Sequence, residues 1–145
     1  MSGVEYRRLA AHDYDRVVDV WQKAGLPYKV HGRESREAFA RQLGDDHIIA
    51  LGAFAEDELV GVVIGSHDGR KGWINRLAMV PGMQKQGIAK ELVQLVEQYL
   101  ESAGIMMFAA LINSDNFASL SLFQKLGYEV KPHIMYLRKL VNKEF

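Results

Sequence analysis

The sequence predicts an α/β fold in a single domain covering residues 1–145: a mixed, mostly antiparallel sheet of six to seven strands with helices on both faces. Three observations predict it. Residues 47–81 read as a three-strand meander with tight turns, which pairs antiparallel. Residues 73–112 read as strand, helix, strand, a unit that pairs parallel through a right-handed crossover. The run "IMMFAALI" (105–112) is unbroken and apolar, as a central strand buried on both faces requires.

The elements follow in order. "VEYRRL" (4–9) alternates as a short strand. In "HDYDRVVDVWQKAG" (12–25), Tyr14, Val17, Val18 and Trp21 recur at helical spacing and Gly25 supplies a stop. Residues 25–32 form a loop. "RESREAFARQLGD" (33–45) predicts a second helix with Ala38, Phe39 and Leu43 on one face. Two strands flank the acidic turn Glu56-Asp57-Glu58, and "GWINRLAMVP" (72–81) adds a third. A long helix from about Gln86 to Ser102 sets Ile88, Leu92, Leu95, Val96 and Tyr99 on one face, and Gly104 ends it. "SDNFASLSLFQKLG" (114–127) is a further helix, capped by Ser114 or Asp115 and stopped by Gly127. "YEVKPHIMYLRKL" (128–140) reads as two closing strands.

Composition narrows the function classes. Of 145 residues, 48% are hydrophobic and 25% charged, which suits a globular domain with a real core. Lys plus Arg and Asp plus Glu both total 18, so there is no basic excess to hold a nucleic-acid backbone. The absence of cysteine excludes disulfides, thiolate metal sites and cysteine nucleophiles. No metal site is expected. No apolar run approaches the roughly 18 residues of a membrane span, and "MSGVEYRRLA" lacks the apolar core of a signal peptide. A cytoplasmic location is the expectation.

The stretch "LAMVPGMQKQGIAKELVQLVEQYL" (77–100) carries the functional signal. A helix start needs partners for its first N–H groups, and no Ser, Thr, Asp or Asn stands between Leu77 and Leu100. Gly87 permits unusual torsions and close approach, Ala89 keeps the first turn bare, and Lys85 adds a cation; together they suit a diphosphate. A water-capped helix start is the plain alternative. The loop is not a Walker loop, and the G-x-G-x-x-G dinucleotide fingerprint is absent.

The pattern Gln84-x-x-Gly87-x-Ala89 follows a strand, and "NFASLSLFQKLGY" (116–128) follows about thirty residues later. In this order and context the two motifs resemble the GNAT superfamily of N-acetyltransferases, over residues 47 to 137. The resemblance implies an acyl-CoA N-acyltransferase fold with acetyl-CoA (coenzyme A) as cofactor. It implies direct attack by a primary amine of a small-molecule or peptide acceptor, without nucleic-acid or membrane partners. Dimers are common in similar proteins, so a homodimer is among the expected assemblies.

Carried onto this sequence, the resemblance sets the diphosphate on backbone N–H groups of Lys85, Gln86, Gly87, Ile88, Ala89 and Lys90, beside Gln84. The pantetheine arm pairs with the strand at Leu77, Ala78 and Met79. The Met79 N–H binds the thioester oxygen. Asn116, with Ser119 and Phe123 on the same helix, meets the cofactor arm. The usual tyrosine acid is replaced by Phe123, and the usual base positions hold Trp73, Asn75 and Leu111, none of which titrates usefully. Candidates for catalysis are then the Met79 N–H and Asn75, with Tyr28 and His31 on the loop that covers the acceptor in relatives. His67, Asp68, Ser119 and Tyr128 are further candidates; His67-Asp68-Gly69 reads more readily as a turn, and Tyr128 as a core aromatic. Without a titrating base, a non-catalytic acyl-CoA-binding module stands as the alternative.

Overall fold

A computed structural model describes residues 3–83 and 87–145. The motif residues Gln84, Lys85 and Gln86 lie outside the described residues. Strand β1 (Val4–Arg8) leads through a 3-10 turn (Ala11–Asp13) into helix α1 (Tyr14–Lys23), followed by α2 (Arg36–Leu43). Strands β2 (Ile48–Ala55), β3 (Glu58–His67) and β4 (Gly72–Met79) make the meander. Helix α3 (Ile88–Ser102), strand β5 (Phe108–Ala110) and helix α4 (Phe117–Lys125) follow.

Among the described residues the sheet has five strands in the order β1-β2-β3-β4-β5. The first four pair antiparallel, and β4 pairs β5 in parallel. The expectation of a mixed, mostly antiparallel sheet with helices on both faces holds. The expected six to seven strands do not, because residues 128–140 form no strand. Pro132 interrupts that run and removes a ladder donor, and the chain turns there, with the Ile134 N–H donating to the Lys131 carbonyl at 3.2 Å. Val130, Ile134, Met135, Tyr136 and Leu137 are consequently exposed. Strand β5 is also shorter than the apolar run 105–112, since only three of its residues find partners on β4.

The turn between β2 and β3 is a two-residue hairpin. Glu56 and Asp57 both take positive φ, 51° and 69°, and Glu58 already belongs to β3.

Strand β2 shows how the sheet is buried on both sides. Ile49, Leu51 and Ala53 face α3; Ala50 and Phe54 face α1 and α2. On the first side, Ile88, Leu92, Val96 and Leu100 recur every four residues and form the buried line of α3, with Val93 beside them. Leu95 and Tyr99, expected on this line, lie at its margin and are partly buried, while Val93 and Leu100 take their places. On the second side, Tyr14, Val17, Val20 and Trp21 of α1 meet Phe39 of α2 over Val62 and Ala78. The Ser35 hydroxyl caps α2 by accepting from the Ala38 N–H at 3.1 Å.

One buried charge secures the N-terminal turn. Asp13 is fully buried, and Arg7 grips it with two hydrogen bonds, Nη1 to Oδ2 at 3.0 Å and Nη2 to Oδ1 at 3.2 Å. The Ala10 N–H donates to the same carboxylate at 2.8 Å. Burial pushes the Asp13 carboxyl up, but the Arg7 and Ala10 bonds with the Arg7 charge outweigh it, and the net displacement is downward. The carboxylate therefore stabilises the fold above its ordinary value, and that contribution is lost as pH falls through the lower folded value. Asp13→Asn should cost about 1–2 kcal/mol at neutral pH, because it weakens the charge-assisted bonds from the partly exposed Arg7. Urea unfolding at pH 7 and pH 3 checks both points; the difference between wild type and variant should narrow at the lower pH.

Candidate active site

The site begins where β4 leaves its neighbours. Opposite β3, Ile64 pairs with Asn75 and Val62 with Ala78. Arg76 and Leu77 therefore face Val63 alone, the two-against-one arrangement of a β-bulge. Arg76 takes φ 56°, a left-handed conformation that an arginine adopts at a cost of roughly 1–3 kcal/mol. On the other side, β4 pairs with β5 only through Gly72, Trp73 and Ile74. Beyond Ile74 the two strands part, and a cleft of about 220 Å³ opens between β4, the segment after β5, and α4.

Leu77 lines this cleft, with Leu111 and Asn113 across it and Asn116, Ser119 and Phe123 on α4. The Val80 N–H donates to the Val60 carbonyl at 2.9 Å. Because donors alternate along an antiparallel ladder, the preceding N–H, that of Met79, points away from β3 and toward the side that β5 has vacated. The Met79 side chain is buried in the core. Asn116, not Ser114 or Asp115, caps α4: its Oδ1 accepts from the Ser119 N–H at 3.2 Å. A cap residue must precede the first helical turn, and that turn starts at Phe117.

Gly87 stands at the N-cap of α3 with φ 73° and no side-chain hydrogen bond. Among the described residues, a Cβ there would meet nothing within 4 Å. The first turn, Ile88, Ala89 and Lys90, thus starts without a side-chain cap on open ground, the condition an anionic group needs at a helix start. The cleft, with its mixed polar and apolar wall, and this bare helix end each fit a part of coenzyme A: the first its pantetheine arm, the second its diphosphate.

A second cavity, of about 300 Å³, lies on the side of α1 and α2. Trp21, Glu34, Phe39, Ile64 and Ser66 contribute to its wall. Asn75 and Arg76 line both cavities, so the two spaces meet at the bulge of β4. Glu34 is fixed in place: its Oε1 accepts from the Lys29 N–H at 2.8 Å and its Oε2 pairs with Arg33 Nε at 3.3 Å. The Arg76 guanidinium lies over the Trp21 ring, 4.4 Å from its centroid. Burial pushes its pKa down; Glu34 opposes that and Arg33 reinforces it.

The sequence-derived candidates fall into three groups. Asn75, Leu77, Asn116, Ser119 and Phe123 converge on the cleft. Tyr28 lines neither cavity; its ring stands 6.0 Å from that of Trp21, which is on the wall of the second. His31 is exposed and lines neither space. Nor does Trp73, which pairs with Ser66 on one side and Ala109 on the other. His67-Asp68-Gly69 is a turn: Asp68 Oδ1 accepts from the Arg70 and Lys71 N–H groups, each at 2.8 Å. Tyr128 packs edge-on against Phe123 and donates its hydroxyl to Glu97 Oε2 at 2.6 Å. Arg76, Trp21 and Glu34 were not foreseen. The available signal was the charged residue inside the apolar run "WINRLAMV".

Two spaces thus meet at the bulge of β4, one beside the parted strands and one beside α1 and α2. The model of the acetyltransferase (GNAT) family matches residues 14–128, so the chain belongs to that family and is an acetyl-CoA-dependent N-acetyltransferase. An acetyltransferase of Sodalis glossinidius is 28% identical over 136 residues, which cover 94% of each chain. One of Pectobacterium atrosepticum is 28% identical over 139 residues, 96% of this chain and 97% of the other. Among solved structures, the PaiA N-acetyltransferase of Thermoplasma acidophilum with coenzyme A superposes with a TM-score of 0.79 at 22% identity, over 90% of this chain and 92% of that one. AAC(6')-Iy with the bisubstrate analogue CoA-S-monomethyl-acetylneamine gives 0.80 at 18% identity, over 96% and 99%.

Tyr128 supports structure rather than proton transfer. Burial, and then the Glu97 hydrogen bond and charge, raise its phenol far above the ordinary tyrosine value, so it stays protonated across the neutral and alkaline range. Tyr128→Phe should lower stability by about 1–2 kcal/mol and leave the shape of the pH–rate profile unchanged. Urea unfolding and a steady-state pH profile check the two halves.

Proposed function

We propose that the chain acts as one acetyltransferase domain that acetylates a primary amine of a small molecule in the cytoplasm. Asn75 and Arg76 carry this reading, since they border the cofactor cleft and the second cavity at once. An amine entering from beside Trp21 would meet the cleft at that point. Bound acetyl-CoA supplies an activated acetyl group as a thioester.

The chain's own residues then have separable tasks. Leu77, Ala78 and Met79 offer backbone groups to the pantetheine arm, and the outward N–H of Met79 is the donor for the acyl oxygen. Gly87, Ile88, Ala89 and Lys90 hold the diphosphate at the start of α3. Asn116 spends its side-chain oxygen on the α4 cap, which leaves its amide N–H groups for the cofactor arm. Ser119 and Phe123 wall the cleft. Trp73, Asn75 and Leu111 offer no base for the amine's proton, and Phe123 offers no acid for the departing thiolate, so the amine's proton leaves to solvent and the thiolate takes one from it. Two proteins of similar fold, AAC(6')-Iy solved with an acetylneamine conjugate and the aminoglycoside acetyltransferase meta-AAC0020 solved with sisomicin, support an amine of modest size.

Two results are expected. Gly87→Val should raise the dissociation constant for acetyl-CoA about tenfold or more, by putting a branched side chain into the open ground at the helix start. It should also destabilise the fold by roughly 1–2 kcal/mol through its left-handed torsion. Calorimetric titration with acetyl-CoA checks the first; unchanged affinity would sink the cradle assignment. With any turned-over amine, kcat/KM should rise with pH through the pKa of the free acceptor amine, measured by thiol release. A bell whose descending limb lies near neutrality would contradict solvent as the proton carrier.

A further inference from the structure

Among the described residues, three buried side-chain polar atoms have no hydrogen-bond partner: Nε and Nη2 of Arg76 and Nε1 of Trp21. Buried polar groups without partners are rare and costly, and here all three cluster on one cavity. All three are donors. The two on Arg76 are neighbours on one edge of the guanidinium, the edge that presents parallel N–H groups to a planar pair of oxygens. The Trp21 ring already occupies a face of that guanidinium, but stacking leaves the in-plane donors unsatisfied. The one carboxylate on the cavity wall, that of Glu34, is taken up by Lys29 and Arg33. The backbone adds to the cost, because Arg76 holds a left-handed torsion to keep its place.

We propose that the acceptor amine carries a carboxylate, bound side-on by Arg76 Nε and Nη2 with Trp21 Nε1 as a third donor. This rests on the acetyltransferase reading above and names the substrate class: small amino acids and similar amino-carboxylates, rather than polycations. Two oxygens with four lone-pair directions match three clustered donors, and the negative charge matches the unpaired guanidinium. Because Arg76 borders the cofactor cleft as well, a carboxylate held there leaves a nearby amine at the junction of the two cavities. A polycationic acceptor would instead bring like charge to the guanidinium in a sheltered site, with no anionic oxygen to match it.

The test is a set of matched binding measurements. Each standard amino acid and its own carboxamide are titrated calorimetrically into the protein saturated with CoA, with kanamycin and spermidine as amines lacking a carboxylate. The tightest amino acid should bind about ten- to hundredfold better than its carboxamide, the worth of a charge-assisted fork. In Arg76→Gln that ratio should fall to about one, and Arg76→Lys should keep part of it, since a point charge replaces a planar fork. Equal binding of acid and carboxamide by wild type overturns the proposal, as does tighter binding of kanamycin or spermidine, or no binding of any acid. So does a ratio that survives Arg76→Gln. The wild-type comparison decides the matter even should the variants not fold. CoA binding, measured first on the same sample, separates the two readings. Failure there overturns the cofactor site and with it the proposal, whereas CoA binding without discrimination overturns the carboxylate alone.

Discussion

The site depends on one irregularity in an otherwise regular ladder. Two residues of β4, Arg76 and Leu77, stand against Val63 where one would suffice. The extra residue bends the strand just past its last pairing with β5 at Ile74. Without that bend β4 and β5 could continue side by side, and the backbone at Leu77 to Met79 would be consumed in ladder hydrogen bonds. With it, the same backbone becomes an open edge inside the molecule, walled by α4. The bulge also turns Arg76 toward the opposite face, so a single event shapes both cavities.

The chain treats the buried Asp13 and the half-buried Arg76 in opposite ways. Asp13 is surrounded by donors from Arg7 and Ala10, and the desolvation it suffers is more than offset. Arg76 is sheltered by Trp21 and left with idle donors. The first arrangement belongs to folding, since nothing further is needed to complete it. The second is incomplete within the protein, the state of affairs expected where stability is subordinate to recognition.

The regular elements were legible because their periods are strong. The meander, both long helices and the parallel crossover follow from alternation and four-residue spacing, and Gly87 was readable as a helix start without a cap. The fine structure was not. Nothing in "NRLA" marks an arginine that will take a left-handed torsion, because bulges are decided by how two strands fit rather than by either one. The α4 cap went to Asn116 instead of its neighbours by a shift of one residue. The closing strands were misread because alternation in "YEVKPHIMYLRKL" describes a chain able to pair, whereas pairing needs a partner edge, and β5 contributes three residues to the ladder. His31 was chosen for its chemistry, but the loop bearing it turns that residue to solvent, while Trp21 and Glu34 were passed over as ordinary helix residues, although α2 starts only at Arg36.

The brevity of β5 has a second consequence. It stands at the end of the sheet among the described residues, where a long flat strand would offer a row of free N–H and C=O groups to any other chain in extended conformation. Three residues present too few such groups to template a stable intermolecular ladder. The early parting of strands that makes room for a cofactor therefore also guards the open margin of the sheet against aggregation.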